Sequence, residues 1–306
     1  MNAIDLDGVG KRFGTTTAVK DVSLTVARGE MFGLIGPDGA GKTTLIRIIC
    51  GLLHADAGRV RALGLDPVKE HRALTRSVGY LSQRFSLYGD LSVDENIAFF
   101  AEIHSVRNYR EQRDRLLDLT QLTPFRGRLA EKLSGGMKQK LALACTLIHE
   151  PALILLDEPT TGVDPVSRRE FWKLLSEFLS QGITIAMATP YLDEAERCTR
   201  VALVHQGSLL ALDTPGALRA AYPGAILEIV VDDHRRAMEV LMRAPSVLGV
   251  QMFGERVHVR LGDPSAIAPS ALPERLRAAG LRVESVRPVA ASLEDVFIAR
   301  IGGEGA

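Results

Sequence analysis

The chain has 306 residues, 46% of them hydrophobic and 24% charged, and its 37 basic residues balance its 37 acidic ones. This length suggests about two domains, this composition excludes a disordered chain, and the balanced charge excludes the basic character typical of nucleic-acid-binding proteins. The sequence has no apolar run near the ~20 residues of a membrane span, no signal-peptide pattern and no closely spaced cysteines, so we expect a cytoplasmic protein without a disulfide scaffold or zinc site.

The first third of the chain is predicted to combine short strands with one helix. Apolar patterns predict strands at residues 4–6, 22–26 and 31–35. The third strand stops at a glycine-rich loop, after which apolar residues share one face of a helix that ends near Gly51. Ser92 and Glu95 have the spacing of a capping box, which predicts a further helix start.

The middle of the chain turns helical, and strands then return. Helices are predicted at 107–119, after Ser134 and at 171–179, and strands at 152–156, 183–188, 201–204 and 208–212. Apolar runs separated by helices indicate a mostly parallel, buried sheet.

A domain boundary is predicted near Tyr222-Pro223-Gly224, dividing residues 1–222 from residues 223–306. Beyond it the patterns follow the order βαββαβ with a final helix at 293–301. That order predicts a small ferredoxin-like α+β domain. We interpret this domain as a structural accessory rather than a ligand-binding regulator.

The loop after the strand at 31–35 matches the phosphate-binding pattern G-x-x-x-x-G-K-[ST]. Its glycines let backbone N–H groups turn toward phosphate oxygens, and the following helix N-terminus adds partial positive charge. Lys42 supplies a charge for the β- and γ-phosphates, and the Thr43 hydroxyl can coordinate Mg²⁺. A chance glycine-rich turn is the alternative, which the flanking strand and helix disfavour. The predicted nucleotide-binding residues of this loop are Gly36, Pro37, Asp38, Gly39, Ala40, Gly41, Lys42, Thr43 and Thr44.

The apolar segment at 153–156 ends in two carboxylates, Asp157 and Glu158. Acids at the tip of a buried strand need a partner, and Mg²⁺ provides one for Asp157. Glu158 is one step further along, where it can polarise a water molecule that attacks the γ-phosphate. An ordinary surface turn is the alternative reading.

Ser134, Gly135 and Gly136 would by themselves indicate only a helix N-cap. Taken with 36–44 and 157–164, the segment Leu133-Ser134-Gly135-Gly136-Met137 resembles the ATP-binding cassette (ABC) ATPases. The resemblance covers residues 2–217. It implies a P-loop NTPase of α/β class, with a mixed sheet core and with antiparallel β and α-helical subdomains.

The resemblance also implies roles for residues outside the phosphate loop. Phe13 stands where the family stacks an aromatic ring on adenine, and Gln83 where it has a glutamine that touches Mg²⁺ and the membrane partner. Ser134, Gly135 and Gly136 would bind the γ-phosphate held by a second subunit, and residues 161–164 would cross between subunits. Two ATP and Mg²⁺ sites would then form between head-to-tail subunits, in a homodimer or a heterodimer, and hydrolysis would let the pair open.

The sequence departs from the family at Pro190, where most members have a histidine. Proline has neither a side-chain donor nor a backbone N–H group. A lost hydrogen bond to a charged phosphate costs about 1.5–3 kcal/mol, or about 10- to 100-fold in rate, so we predict weak but real ATPase activity. Asp38, where many relatives have asparagine, is a smaller departure.

Residues 292–298 resemble the end of ATPase subunits from daunorubicin-resistance and multidrug exporters, which pair with a separate integral membrane permease. We therefore predict a cytoplasmic ATPase subunit, peripheral on the inner face of the cell membrane, that energises an exporter similar to the multidrug efflux systems. The permease would dock in a groove near Gln83 and residues 90–145. The apolar cluster at 85–88 is a candidate lining of that groove, and internal packing of the cluster is the alternative. The alternatives are a degenerate subunit that regulates a partner ATPase and a non-transport ABC protein, the latter disfavoured by a single phosphate loop and no basic tract.

Overall fold

The structure is a computed structural model that describes residues 2–83, 87–245, 247–262 and 271–302. The chain divides into two compact units, Met1–Thr214 and Pro215–Ala306. The boundary predicted after residue 222 lies further along the chain than this division. The reason is that a helix at Pro215–Ala220 packs against the helix Leu293–Ile301 of the second unit.

The first unit contains nine strands and seven α-helices within the described residues. The strands are β1 (Asn2–Phe13), β2 (Thr16–Ala27), β3 (Met31–Ile35), β4 (Ala57–Ala62), β5 (Val78–Leu81), β6 (Leu153–Asp157), β7 (Thr184–Thr189), β8 (Arg200–His205) and β9 (Ser208–Asp213). The helices are α1 (Lys42–Ile49), α2 (His71–Leu74), α3 (Val93–Ile103), α4 (Tyr109–Thr120), α5 (Gly135–Leu147), α6 (Pro165–Ser180) and α7 (Leu192–Ala195), with 3-10 turns at Thr123–Phe125 and Ala130–Lys132.

Six strands form the main sheet of this unit, in the order β5-β6-β7-β3-β8-β9. Neighbouring strands are parallel except for the antiparallel pair β8 and β9. Strands β3, β6 and β7 are buried along their whole length, so the prediction of a mostly parallel, buried sheet is confirmed. Since the carboxyl ends of parallel strands share one edge, the loops after β3, β5, β6 and β7 meet there.

A second, antiparallel sheet has the order β2-β1-β4. Its central strand, β1, ends at Phe13. Strands β4 and β5 are absent from the sequence predictions. Strand β4 alternates weakly and exposes its arginines, and β5 has only four residues, so neither carries a clear period of two.

Side-chain caps fix where three helices of this unit begin. Ser92 and Glu95 form the predicted capping box at α3, in which each residue accepts a backbone N–H bond from the other. Ser134 caps α5 and Asp164 caps α6. The apolar stripe of α6, which includes Phe171 and Trp172, is buried.

The second unit has the predicted order of elements. After α8 (Pro215–Ala220) come β10 (Ala225–Val231), α9 (His234–Met242), β11 (Val247–Phe253), β12 (Arg256–Leu261), α10 (Ala271–Ala278), β13 (Val283–Val289) and α11 (Leu293–Ile301). The four strands form an antiparallel sheet in the order β11-β12-β10-β13, which is the ferredoxin-like arrangement. One face packs on α9 and α10 through a core that includes Leu227, Ile229 and Leu241.

In the described part of the chain, no helix has both the length and the apolar character needed to cross a bilayer.

Candidate nucleotide-binding site

The phosphate loop runs from the end of β3 to the start of α1. Gly41 lies immediately before α1 with a φ of 103°, which is left-handed backbone that side chains disfavour. A Cβ atom on Gly41 would also lie 2.4 Å from the carbonyl oxygen of Ala18. Glycine is therefore required at this position, both for the turn into α1 and for the close approach to β2.

Lys42, at the first position of α1, is buried and points back along the loop. Its Nζ donates hydrogen bonds to the carbonyl oxygens of Gly36 (2.9 Å) and Pro37 (3.0 Å), and it lies 3.8 Å from Oε1 of Glu158. Burial lowers the pKa of Lys42, and the negative charges of Glu158, Asp38 and Asp157 counteract that effect. The cationic side chain is thus positioned between the loop backbone and the acidic end of β6.

Thr43 and Asp157 lie side by side across the sheet edge. The Thr43 hydroxyl donates to Oδ1 of Asp157 at 2.8 Å, and the Tyr80 hydroxyl lies 3.4 Å from Oδ2. Asp157 is fully buried, and a hydroxyl beside a carboxylate is an oxygen pair of the kind that Mg²⁺ binds. These residues therefore fit the predicted metal site. No group of three or more His, Cys, Asp or Glu side chains suited to a metal occurs among the described residues.

Glu158 follows Asp157 with a φ of 51°, an uncommon left-handed conformation for a glutamate. Its backbone N–H donates to the carbonyl oxygen of Ala188 at 2.9 Å. Its Oε2 accepts hydrogen bonds from Nε2 of Gln83 (2.9 Å) and from the Thr161 hydroxyl (3.3 Å). Gln83, which was predicted as a metal contact, therefore donates a hydrogen bond to the predicted catalytic carboxylate of Glu158.

Most of the predicted residues share one open cleft of about 390 Å³. Phe13 lies in its wall with half of its surface exposed, and Nζ of Lys11 lies 5.5 Å from the ring centre. The cleft is lined by Phe13, Ala18, Asp38, Gly39, Ala40, Gly41, Lys42, Thr43, Thr44, Gln83 and Glu158. An exposed aromatic ring beside a phosphate loop is suited to stack on a base.

Ser134, Gly135 and Gly136 are not among the residues that line this cleft. They form the start of α5, where the Ser134 hydroxyl accepts a bond from the backbone N–H of Met137. Gly136 packs against Ser167 of α6, close to Asp164. The chain therefore presents two separate groups of predicted residues, the cleft and the paired starts of α5 and α6.

Pro190 follows β7 directly, next to Thr189. Of the apolar cluster at 85–88, Phe85 and Ser86 lie outside the described residues. Tyr88 packs edge-on against Phe99, with 4.6 Å between the ring centres.

A second cavity, of about 190 Å³, lies between the end of α1, α2, β5, α3 and α5. Its lining is mainly apolar and includes Leu52, Leu74, Phe100 and the stacked rings of His104 and His149. Tyr80 also lines this cavity. Sequence reasoning missed Tyr80, because its position three residues before Gln83 gives no indication that it faces Asp157.

Comparison with known proteins places these observations in a family. Residues 19–161 match the family model described as ABC transporter. The chain is 41% identical over 309 aligned residues to the probable multidrug ABC transporter ATP-binding protein YbhF of Escherichia coli, covering 99% of this chain but 52% of that protein. The chain thus spans about half the length of this relative.

Other relatives match over nearly their whole length. The Nod factor export ATP-binding protein I of Rhizobium sp. is 38% identical, with 99% of this chain and 98% of that protein covered. The daunorubicin resistance ATP-binding protein DrrA3 of Streptomyces coeruleorubidus is 34% identical, with 99% and 96% covered.

A solved structure described as the dimeric structure of MJ0796, a bacterial ABC transporter cassette, matches with a TM-score of 0.63 and 26% identity. The match covers 69% of this chain and 98% of that one. This likeness confirms the predicted fold of the first unit.

Proposed function

This chain belongs to the family of ABC transporter ATP-binding proteins, and from that premise we propose that it binds and hydrolyses ATP to drive export through a separate membrane permease. The observation that carries the proposal is the single cleft in which an exposed aromatic ring, the phosphate loop and Glu158 face one another. The names of the relatives support export, since they refer to multidrug transport, daunorubicin resistance and Nod factor export.

In this proposal the triphosphate of ATP lies along the loop. Backbone N–H groups at 39–44 and the N-terminus of α1 stabilise its negative charge. Lys42 exchanges its two loop carbonyl partners for β- and γ-phosphate oxygens, and Phe13 stacks on adenine. Thr43 and Asp157 would hold Mg²⁺, with Gln83 as a further contact, and the ion would neutralise phosphate charge when bound.

Glu158 orients the attacking water molecule and accepts its proton. The hydrogen bonds from Gln83 and Thr161 support this role, because they hold the carboxylate at the cleft. Gln83 is also the residue through which a change in the segment after β5 would reach the catalytic carboxylate.

A second subunit completes each site. Ser134, Gly135 and Gly136 of that subunit bind the γ-phosphate, since backbone N–H groups in the first turn of α5 have no acceptor within the helix. Their position outside the cleft of their own chain supports this arrangement, as does the dimeric cassette with the same fold. The second subunit is either another copy of this chain or a different ATPase.

The permease docks in the cavity of about 190 Å³ and so holds the protein at the inner face of the cell membrane. The apolar lining of this cavity, its partial opening and its contact with β5, which leads to Gln83, support the assignment.

ATP hydrolysis by the purified full chain, alone and with the membrane proteins that it captures from detergent-solubilised membranes, tests the proposal. We expect slow turnover, which Glu158→Gln abolishes while ATP binding persists. Capture of an integral membrane permease supports the transport role. Failure of the wild-type chain to hydrolyse ATP in any of these samples would refute the catalytic part.

One observation favours a second candidate, a subunit that mainly binds ATP and regulates a partner ATPase. Proline occupies position 190, directly after β7, where most members of the family have a histidine. If capture brings down a second ATPase and the activity of the complex persists with Glu158→Gln in this chain, the regulatory role is correct.

A further inference from the structure

Glu194 is a buried carboxylate that two threonines from different loops bind. It lies in α7 with 1% of its surface exposed. Its Oε2 accepts a hydrogen bond from the Thr189 hydroxyl at 2.7 Å, and its Oε1 accepts one from the Thr160 hydroxyl. Both threonines are also buried, so the three side chains form a closed polar cluster.

The two threonines flank the proposed catalytic machinery. Thr160 lies two residues after Glu158, and Thr189 is the last residue of β7, directly before Pro190. The Thr189 hydroxyl also accepts a hydrogen bond from the backbone N–H of Tyr191 at 3.1 Å, so this bond links the residues on either side of Pro190. Glu194 therefore joins the turn after β6 to the turn after β7.

The conformation of Glu158 makes such a connection important. A non-glycine residue with a φ of 51° stays in that conformation only when its surroundings fix it. One bond, from the N–H of Glu158 to the carbonyl of Ala188, already links the two strand ends on the backbone. The cluster at Glu194 adds a second, side-chain link just beyond it.

We propose that Glu194 is a positioning residue that holds the Glu158 turn against the Pro190 turn through Thr160 and Thr189. The inference rests on the proposed ATPase function. A carboxylate suits the position because both of its oxygens are acceptors, whereas a glutamine offers one acceptor and one donor group. Glu194 itself touches neither nucleotide nor water in this role.

The test compares Glu194→Gln with Asp193→Asn in the full chain. Asp193 is a matched control, since it is the neighbouring carboxylate on α7 and its side chain is 72% exposed. For each variant we would measure kcat and KM for ATP, the unfolding midpoint, and hydrogen–deuterium exchange of residues 157–164 and 187–192. Thr189→Val serves as a second variant, because valine has nearly the size of threonine but lacks the hydroxyl that donates to Glu194.

We expect Glu194→Gln and Thr189→Val to lower kcat about 10- to 100-fold with KM within twofold, because small misplacements of a catalytic group are costly. Exchange should rise in both segments, and Asp193→Asn should match the wild type.

Unchanged kcat in Glu194→Gln overturns the inference, as does a parallel change in kcat, KM and unfolding midpoint, which indicates a structural role alone. If the wild-type chain has no ATPase activity, the proposed function fails. The exchange data then decide the inference separately, since unchanged exchange in Glu194→Gln would refute the link between the two turns.

Discussion

The two neighbouring glycines at the start of α5 should respond in opposite ways to the same substitution. A Cβ atom built on Gly136 would lie 2.2 Å from Oγ and 2.5 Å from Cβ of Ser167, whereas one on Gly135 meets nothing within 4 Å. A different Ser167 rotamer removes the Oγ contact but not the Cβ contact, because Cβ is fixed to the backbone of α6. Gly136→Ala must therefore displace α5 from α6.

The magnitude follows from helix propensity and overpacking. Alanine is favoured over glycine inside a helix by up to about 1 kcal/mol, and this gain is common to both substitutions. Overpacking of a tight contact costs about 1–3 kcal/mol. The free energy of unfolding of Gly136→Ala should therefore lie below that of Gly135→Ala by about 1–3 kcal/mol.

Chemical denaturation followed by tryptophan fluorescence measures this difference directly. Trp172 is the single tryptophan of the chain and lies buried on α6, the helix that carries Ser167. Ser167→Gly removes both clashing atoms, so Gly136→Ala should cost less free energy of unfolding in a Ser167→Gly background than in the wild type, which is the rescue that we expect. Equal midpoints for Gly135→Ala and Gly136→Ala, or the absence of any rescue, would refute the packing argument.

Three further outcomes are expected. Pro190→His should raise the hydrolysis rate of the assembled complex about 10- to 100-fold, by restoring a donor to phosphate, and an unchanged rate contradicts our account of that position. Asp56 binds Nζ of Lys11 and the N–H of Arg12 just before Phe13, so Asp56→Ala should raise the Kd for ATP a few-fold and leave kcat unaltered; equal Kd values would count against this. Burial, and then the charge of His104, lower the pKa of His149 from 6.5 to about 4. The stability that neutral His149 contributes is therefore complete above pH 6.5 and is lost as the pH falls through 4. His149→Phe should flatten the stability profile in that window, as measured by denaturation at a series of pH values, and an identical profile would exclude this histidine as the cause.

Much of the candidate site could be predicted because its signals are local. The turn of the phosphate loop and the start of α1 depend on residues adjacent in the chain, and so do the caps at Ser92 and Ser134. The second unit was predictable for a similar reason, since its short elements alternate in clear periods and its sheet order follows a common arrangement.

Other features could not be found in this way. Strand β5 is too short to show a period, although it leads to Gln83 and carries Tyr80 toward Asp157. The bond between Gln83 and Glu158 was equally hidden, and the sequence predicted for Gln83 only a metal and partner contact. Gly136 was predicted as a phosphate contact alone, and its packing against Ser167 is visible only where α5 meets α6.

The amino-acid sequence alone determined the phosphate loop and the acidic end of β6, because each consists of consecutive residues. It also determined the class of the first unit, because three such local motifs occur together in one chain. Only the tertiary structure decided which distant groups meet: Thr43 with Asp157 across 114 positions, and Gln83 with Glu158 across 75. Only the tertiary structure likewise decided that Glu194 meets Thr160 and Thr189. Such pairs arise when parallel strands place their carboxyl ends at one edge, and the order of those strands is set by packing of the whole core rather than by any local segment.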